Sequence, residues 1–550
     1  MKTKILKINS RIMIAILIVA SVISCKKITN PLDNMQLLID YNIVKTTIDV
    51  HIRDAATGKL LDRETSKMAM ITVSGSDAEA VVDVLGMAPK NNKFPVNQGI
   101  ANMALSPKSQ YIPDQNNVIS FALGIELPGY LPTSKQVNIN QAGRSFITLE
   151  VIPVNNPPSG VKVKQAAAAA QTGTNGKVVA PATVSVSGGD AAVHIPQGIV
   201  MRDAQGGLLT GNLNVTLVHF DLGNSAAQAS FPGGMLPRVK KSDGSIQSGM
   251  FYSAGCVAVE ITDDQGKQAA TFSDGTLALT TAVSEGTFNP VSQTNITEGD
   301  IVPVWSMSGN SGLWNEEGFS TVNRENGILT LTTELPHLSY YSFNWFTGTL
   351  CEEGRPFRFT TDQPLEGSFL IKGKVYRQED NCYLNTILMW ATSGQLIPTS
   401  WVPQGVGVNI EWDMENSPFL QPSPGSQPTF VDEWCGSSPI PVELLINDGG
   451  GLTTLTVSVS LYCPDDPDVV IKPSFMAYYR NISNDGPVIP VEMVEGIATV
   501  SGIYLGDTYE IWMIYDGEEY TTEINVTQNE YSYMDVEIPA DVCDEVFGGN

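Results

Sequence analysis

Short runs of alternating apolar and polar residues, separated by turn formers, recur along almost the whole chain. Thr46-Thr47-Ile48-Asp49-Val50-His51-Ile52-Arg53 puts its aliphatic residues on one face, the two-residue period of a half-buried strand. Asp54-Ala55-Ala56-Thr57-Gly58 follows as a turn. Met70–Val73, Phe121–Ile125, Phe146–Val151, Leu213–Asp221, Gly255–Ile261, Phe369–Tyr376 and Leu452–Leu461 fit the same description. Strands this short, spaced by Gly, Pro, Asn and Asp, predict an all-β chain of tandem β-sandwich domains. Breaks in the pattern divide it. Residues 1–24 form a leader, 25–40 a tether, and 41–154 a first sandwich. Residues 155–179 read as a linker, with Asn155-Asn156-Pro157-Pro158-Ser159-Gly160 ahead of an alanine run that suits a helical turn. A second sandwich spans 180–348, a third β-domain 349–463 and a last one 464–550. Pro464-Asp465-Asp466-Pro467-Asp468 is the expected hinge before the last.

Composition narrows the function classes. The 550 residues suit three to five domains. Charged residues make up 16%, against about 25% in an average soluble domain, while Gly numbers 49 and Pro 33. Long helices and coiled coils are excluded by that balance, and wholesale disorder by 42% hydrophobic residues. Lys and Arg total 32 against 58 Asp and Glu, a net charge of -26. Nucleic-acid binding needs clustered cations, so it is excluded as well. Residues 464–550 hold 18 acids and 2 bases, more than half of the net charge.

The first residues carry an address. Lys2, Lys4, Lys7 and Arg11 precede the apolar run Ile12–Ile23, too short to span a bilayer comfortably and suited to a secretory signal peptide. Val22-Ile23-Ser24-Cys25 resembles the lipobox of bacterial lipoproteins. That resemblance implies cleavage before Cys25, acylation of its thiol and a membrane partner held through several acyl chains. Lys26 and Lys27 follow, where an Asp would resemble the inner-membrane retention signal. The resemblance therefore implies an outer-membrane lipoprotein of the Bacteroidetes type, facing either the periplasm or the cell surface. An exported chain is free to form disulfides. Of the other cysteines, Cys351, Cys382, Cys435, Cys463 and Cys543 lie after residue 350, so bridges are expected in the C-terminal third. Cys256 sits in an apolar run and reads as a core thiol.

Three further resemblances concern the domains. Pro128-Gly129-Tyr130-Leu131-Pro132 before a final strand, and again Ile497–Ile511, resemble carboxypeptidase-regulatory (transthyretin-like) modules. Ser187–Val200 resembles the opening of the sandwich in zonula occludens proteins, ankyrins and netrin receptors. The order Pro303-Val304-Trp305, then Gly312-Leu313-Trp314 to Gly318, then His337-Leu338-Ser339 with aromatics resembles the cartilage intermediate layer protein and astroprincin family. That likeness implies an extracellular, non-enzymatic protein. Independently, Trp305 and Trp314 flank Ser308–Gly312, so they suit the two arms of one hairpin at a sandwich end, with Gly318 beyond.

Catalytic signatures are scarce. The chain lacks a Gly-x-Ser-x-Gly elbow, a His-Glu-x-x-His helix, a phosphate loop and a Cys-x-x-Cys pair. Of four histidines, His51, His194 and His219 alternate with apolar residues inside strands. No cofactor is expected. Asp465, Asp466 and Asp468 have the oxygen chemistry for calcium but not an EF-hand spacing, and a solvated hinge is the preferred reading. Acid pairs such as Asp263-Asp264 fall at turns, where Asp belongs for conformational reasons. Trp390, Trp401, Trp412 and Trp434 cluster among Gly and Pro and suit either a core or a glycan-stacking platform. His337-Leu338-Ser339 resembles the cleavage tripeptide of adhesion-receptor autoproteolysis domains. There the histidine removes the hydroxyl proton and the oxygen attacks the preceding carbonyl, here between Leu338 and Ser339. A turn after Pro336 accounts for the same residues, and an intact chain is expected. The function read from sequence is a non-enzymatic, lipid-anchored envelope protein presenting adhesion or spacer domains to a protein or glycan ligand. The alternatives are a glycan-binding accessory lipoprotein of a polysaccharide-uptake system and a self-cleaving surface protein.

Overall fold

The computed structural model describes residues 46–537, apart from 85, 308–310, 349, 448–451, 464–465, 473 and 516–517. Cys25, Asp465, Cys543 and the leader and tether fall outside the described residues. The architecture is all-β, and the longest helix among the described residues is Ser225–Ala229. The chain divides into two units: Val44–Leu365 with Leu370–Asn447, and Glu366–Phe369 with the chain beyond Asn447.

The large unit begins with a sandwich of two four-stranded sheets. One runs in the order Val81–Val82, Ile100–Leu105, Thr46–Asp54, Gly143–Val151; the other Lys93–Pro95, Met70–Ser74, Ile119–Ile125, Thr133–Ile139. Thr46–Asp54 pairs antiparallel with Ile100–Leu105 and parallel with Gly143–Val151. Ile48, Val50 and Ile52 from one sheet meet Ile71, Phe121 and Leu123 from the other in a closed core. The alternation seen in sequence fixes this register, because a one-residue slip would turn every apolar side chain outward.

The middle sandwich packs a five-stranded sheet, built around Ala191–Ile195, Leu277–Val283 and Ile328–Leu335, on an eight-stranded one. Leu277–Val283 alternates buried and half-buried along its whole length, as its period requires. The alanine run departs from the sequence expectation. It belongs to the strand Val161–Gln171, which pairs antiparallel with Asn212–Phe220 at the edge of the large sheet. Alanine's helix preference is a weak prior, and an open sheet edge outweighs it. A bulge between Leu213 and Val215 accompanies the left-handed Ala168, whose N–H donates to Asn214 Oδ1 at 3.0 Å.

Trp305 and Trp314 stand on the paired strands Ile301–Met307 and Leu313–Thr321, and both are fully buried. Phe231 stacks on Trp314 at 5.4 Å between ring centroids, Phe251 tilts against Trp305 at 5.5 Å, and the Trp305 indole N–H donates to Asn344 O at 2.8 Å. The register shifts by one residue after Val304, leaving Glu317 as an extra residue opposite the Trp305 strand. Gly318 takes φ +142° at that bulge.

The third module carries a sheet in the order Leu396–Thr399, Gly354–Thr361, Ile440–Ile446, Leu420–Pro422. A hairpin formed by the strand ending at Arg377 and by Tyr383–Thr392 lies beside Val408–Asp413. Cys351 and Cys435 form a disulfide that closes 84 residues of this module, and Cys256 and Cys382 are free and buried. Arg377, with no exposure to water, bonds Asp380 through Nε and Nη2 at 2.9 and 2.6 Å and donates from Nη1 to Phe251 O at 3.1 Å. Its guanidinium lies 3.4 Å from the Tyr252 ring centroid, so it ties this hairpin to the middle sandwich. Gly312 N–H donates to Ser134 Oγ at 2.8 Å and brings the first sandwich against the middle one. A side chain on Gly312 would meet backbone atoms of Lys135 and Gln136 within 3 Å.

The small unit has a sheet in the order Ile489–Met493, Phe475–Asn481, Thr508–Tyr515, Glu518–Asn525. Leu452–Cys463 pairs with Ile497–Tyr504, Asp466–Ile471 and Glu530–Glu537. Two sequence expectations change here. Leu452–Cys463, assigned to the third domain, belongs to this last unit because its partners are all there. Asp466 and Asp468, assigned to a hinge, start a strand.

Replacing Trp305 or Trp314 by Ala should cost about 3–5 kcal/mol, the usual loss for a large aromatic removed from a closed core. Equilibrium denaturation of the full chain, followed through the transition that melts the middle sandwich, checks it. An unchanged midpoint for either variant would show that the rings are not structural.

Candidate functional site

The four tryptophans of the third module do not share one surface. Trp412 and Trp434 are buried: Trp412 meets Phe357 and Phe359 edge-on at 5.3 and 5.2 Å and donates to Thr429 Oγ1 at 2.9 Å, and Trp434 meets Phe357 at 5.7 Å. They form the module's core, one of the two arrangements the sequence left open for them. Trp412 occupies a buried position of an alternating strand, so its face was fixed by the period rather than by its residue type. Trp390 and Trp401 are half-buried and line a cavity of about 520 Å³.

That cavity lies where all three modules of the large unit meet. The first sandwich contributes Thr133–Ile139 and Gly143–Val151, the middle one Gly233, Gly234 and Arg238, and the third Tyr383–Thr392 and the segment through Trp401. Its charged residues are Lys135, Arg144 and Arg238, and no Asp or Glu lines it among the described residues. Arg144 and Phe146 are two apart on one strand and so share a face. The Arg144 guanidinium lies 5.0 Å from the Phe146 ring and 5.1 Å from the Trp390 ring, so it is held between two aromatic faces. Its Nε bonds Asp49 Oδ2 at 3.1 Å, while Nη1 and Nη2 have no partner. Trp401 takes φ +55°, a conformation that bulky side chains rarely adopt, and its indole N–H is also unpartnered. Burial pulls the Lys135 ammonium below its ordinary pKa. Sequence reading missed Arg144, Phe146 and Arg238, because the cavity joins segments far apart in the chain. A second cavity, about 380 Å³, sits in the core of the small unit among Leu455, Tyr479, Met493 and Trp512, and its walls are almost wholly apolar.

His337 and Ser339 are brought together, with a partner that the sequence did not reveal. Ser339 Oγ lies 3.2 Å from His337 Nδ1, and Glu317 Oε1 lies 3.3 Å from Nε2. The bulge supplies that carboxylate: Glu317 is the unpaired residue, and Ser306 Oγ also donates to it at 2.5 Å. A glycine inside a strand pattern, Gly318, was the available signal. The hydrogen bond to Glu317 raises the His337 pKa above 6.5, against the opposing pull of burial, and the bond from His337 lowers Glu317. The chain from 328 to 347 has no residue of positive φ, and Ser339 O accepts from Val259 N at 3.4 Å. His337 makes an isolated bridge to Thr271, and the chain bends at Ser339 before entering the strand Tyr340–Thr347.

The remaining polar candidates lie in strands and at a turn. His51 is buried, and burial pulls its pKa down to about 4; His219 is lowered for the same reason. His194 Nδ1 pairs with Thr183 Oγ1 at 3.1 Å on the surface. Asp263 holds its turn by accepting from the Gln265 and Lys267 N–H groups at 2.9 and 3.0 Å.

No family model matches the chain, and no curated protein does. Solved structures give faint likenesses. The TIE protein of Bacillus anthracis is 9% identical with a TM-score of 0.15, over 69% of this chain and 58% of that one. The major pilin subunit BcpA of Bacillus cereus is 8% identical at 0.14, over 90% and 99%. Two B repeats of the collagen-binding protein of Staphylococcus aureus are 8% identical at 0.13, over 88% and 99%. This chain thus spans little more than half the length of the TIE protein, and TM-scores this low say nothing about what it binds.

The His337–Glu317 pair should titrate visibly. The raised His337 stabilises the fold at low pH and loses that effect as pH rises through its own pKa; the lowered Glu317 loses its effect as pH falls. A histidine-labelled NMR titration should place His337 above 6.5 and bring it down in Glu317→Gln. A midpoint at or below 6.5 in the unaltered chain would contradict the bond.

Proposed function

We propose that the chain is an exported, lipid-anchored protein of the outer membrane that presents binding or spacer β-sandwiches and catalyses no reaction. The observation that carries the reading is the large unit itself. Three modules are locked together by a buried guanidinium, a backbone-to-serine bond at Gly312 and aromatic packing, around a cavity that no His, Cys, Asp or Glu lines among the described residues. Such a cavity has groups that orient a ligand, and the commonest general bases, His, Asp and Glu, do not line it among the described residues. Lipidation at Cys25 would hold the molecule at the membrane, as Val22-Ile23-Ser24-Cys25 suggests.

A second reading, a glycan-binding accessory lipoprotein of a polysaccharide-uptake system, is favoured by Trp390 and Trp401, whose rings meet the cavity. Self-cleavage at Leu338–Ser339 is the third. The segment 328–347 has no left-handed residue, so it offers no backbone strain of that kind for the N-to-O shift to draw on.

Cys25→Ala should move the protein from the membrane fraction to the soluble one. Sedimentation with membranes after a salt wash would mean a different anchor. On a denaturing gel the purified chain should run as one band. Two fragments, about three-fifths and two-fifths of the chain and absent in Ser339→Ala, would overturn the non-catalytic reading.

A further inference from the structure

We infer that the cavity between the three modules binds an acidic saccharide through its carboxylate, with Arg144 as the anion-binding group and Trp390 and Trp401 as the ring platform. The inference rests on the binding reading above and adds a ligand class to it.

Three observations converge. The first is charge. The chain carries a large excess of acids, yet this cavity has three cationic residues on its walls and no acid among the described residues. Asp49 on Arg144 and Glu150 near Lys135 balance part of that charge, and the remainder would draw in an anionic ligand.

The second is the state of the guanidinium. Arg144 is 11% exposed, with Asp49 taking Nε only. The two terminal nitrogens, the pair that grips a carboxylate through parallel hydrogen bonds, are buried without a partner. Leaving such donors unmade is expensive, and a ligand oxygen would satisfy them. Phe146 and Trp390 on either side keep the plane of the group fixed, so little freedom is left to lose on binding.

The third is the aromatic and polar lining. Trp401 holds a strained left-handed backbone with its indole N–H unpartnered at the same cavity. Strain of that kind persists where the surrounding structure forces a side chain into place. Asn138, Gln141, Asn385 and Thr386 add uncharged donors and acceptors suited to hydroxyls. Ring faces, neutral hydrogen-bonding groups and one cationic fork together match a uronic-acid unit, which has an apolar ring face, several hydroxyls and one carboxylate. The volume, about 520 Å³, falls within the range of roughly 300–1,000 Å³ of small-ligand sites.

The test is a calorimetric and tryptophan-fluorescence titration of the full chain in detergent with trigalacturonate, neutral cellotriose and trialanine. Trigalacturonate should bind and cellotriose should bind far more weakly. Arg144→Gln should weaken trigalacturonate by about tenfold or more, the loss of a charge-assisted pair. Because Arg144→Gln also removes one partner of Asp49, which accepts from Asn102 as well, Trp401→Phe provides the second variant: it keeps an aromatic ring, deletes the N–H, and should weaken binding with melting unchanged. If cellotriose binds as tightly as trigalacturonate and Arg144→Gln leaves both unaltered, the acidic-ligand inference is wrong while glycan binding stands. If trialanine binds in preference, the ligand is a peptide carboxylate, and both the inference and the glycan reading fail. Should none of the three bind, the cavity is not a saccharide site, and the envelope reading is left to the fractionation result.

Discussion

A guanidinium with no access to water governs the large unit. Arg377 is an obligatory cation in a dry setting, so every one of its nitrogens must find an acceptor or an aromatic face, and it finds them on two modules at once. Asp380 lies on its own turn, but Phe251 O and the Tyr252 ring belong to the middle sandwich. Separating the modules would strip away the latter two and leave a buried charge half-satisfied, which is far costlier than losing a surface pair. Tyr252 OH on Glu379 at 2.7 Å and Tyr383 N on Gln228 Oε1 at 2.8 Å extend the same seam.

Function follows from where that seam holds the hairpin. Arg377 N–H donates to Cys382 O at 2.8 Å and closes the turn, and the outgoing strand Tyr383–Thr392 carries Trp390 onto Arg144 of the first sandwich. The first sandwich is fixed independently through Gly312 and Gln136. The cavity is thus framed by strands whose relative positions are set elsewhere, the arrangement that keeps a recognition site organised before its ligand arrives.

Much of the fold could be read from the sequence, because a two-residue period reports directly which face of a strand is buried. Leu277–Val283 and Thr46–Asp54 are strands by that pattern alone, and the tryptophans at 305 and 314 stand on the two arms of one hairpin. The alanine strand could not be read, since its partner, Asn212–Phe220, is more than 40 residues away and nothing local marks a sheet edge. The ownership of Leu452–Cys463 depends in the same way on strands that come later. Residue type also failed to sort the four tryptophans: Trp412 and Trp434 fill a core, and Trp390 and Trp401 border a cavity. Arg144 left no signal, because its importance comes from a ring supplied by another module. Glu317 left a faint one in the glycine that follows it.

The most direct test of the central claim, that one buried cation locks the middle and third modules into a common body, is hydrogen exchange on the full chain and on Arg377→Leu. The claim predicts faster exchange in Arg377→Leu on both sides of the seam, in Met250–Asp263 and in the hairpin containing Tyr383–Thr392, with the first sandwich's Ile119–Ile125 unchanged. Faster exchange confined to the hairpin, with Met250–Asp263 as protected as before, would show that the modules hold together without Arg377 and would contradict the account.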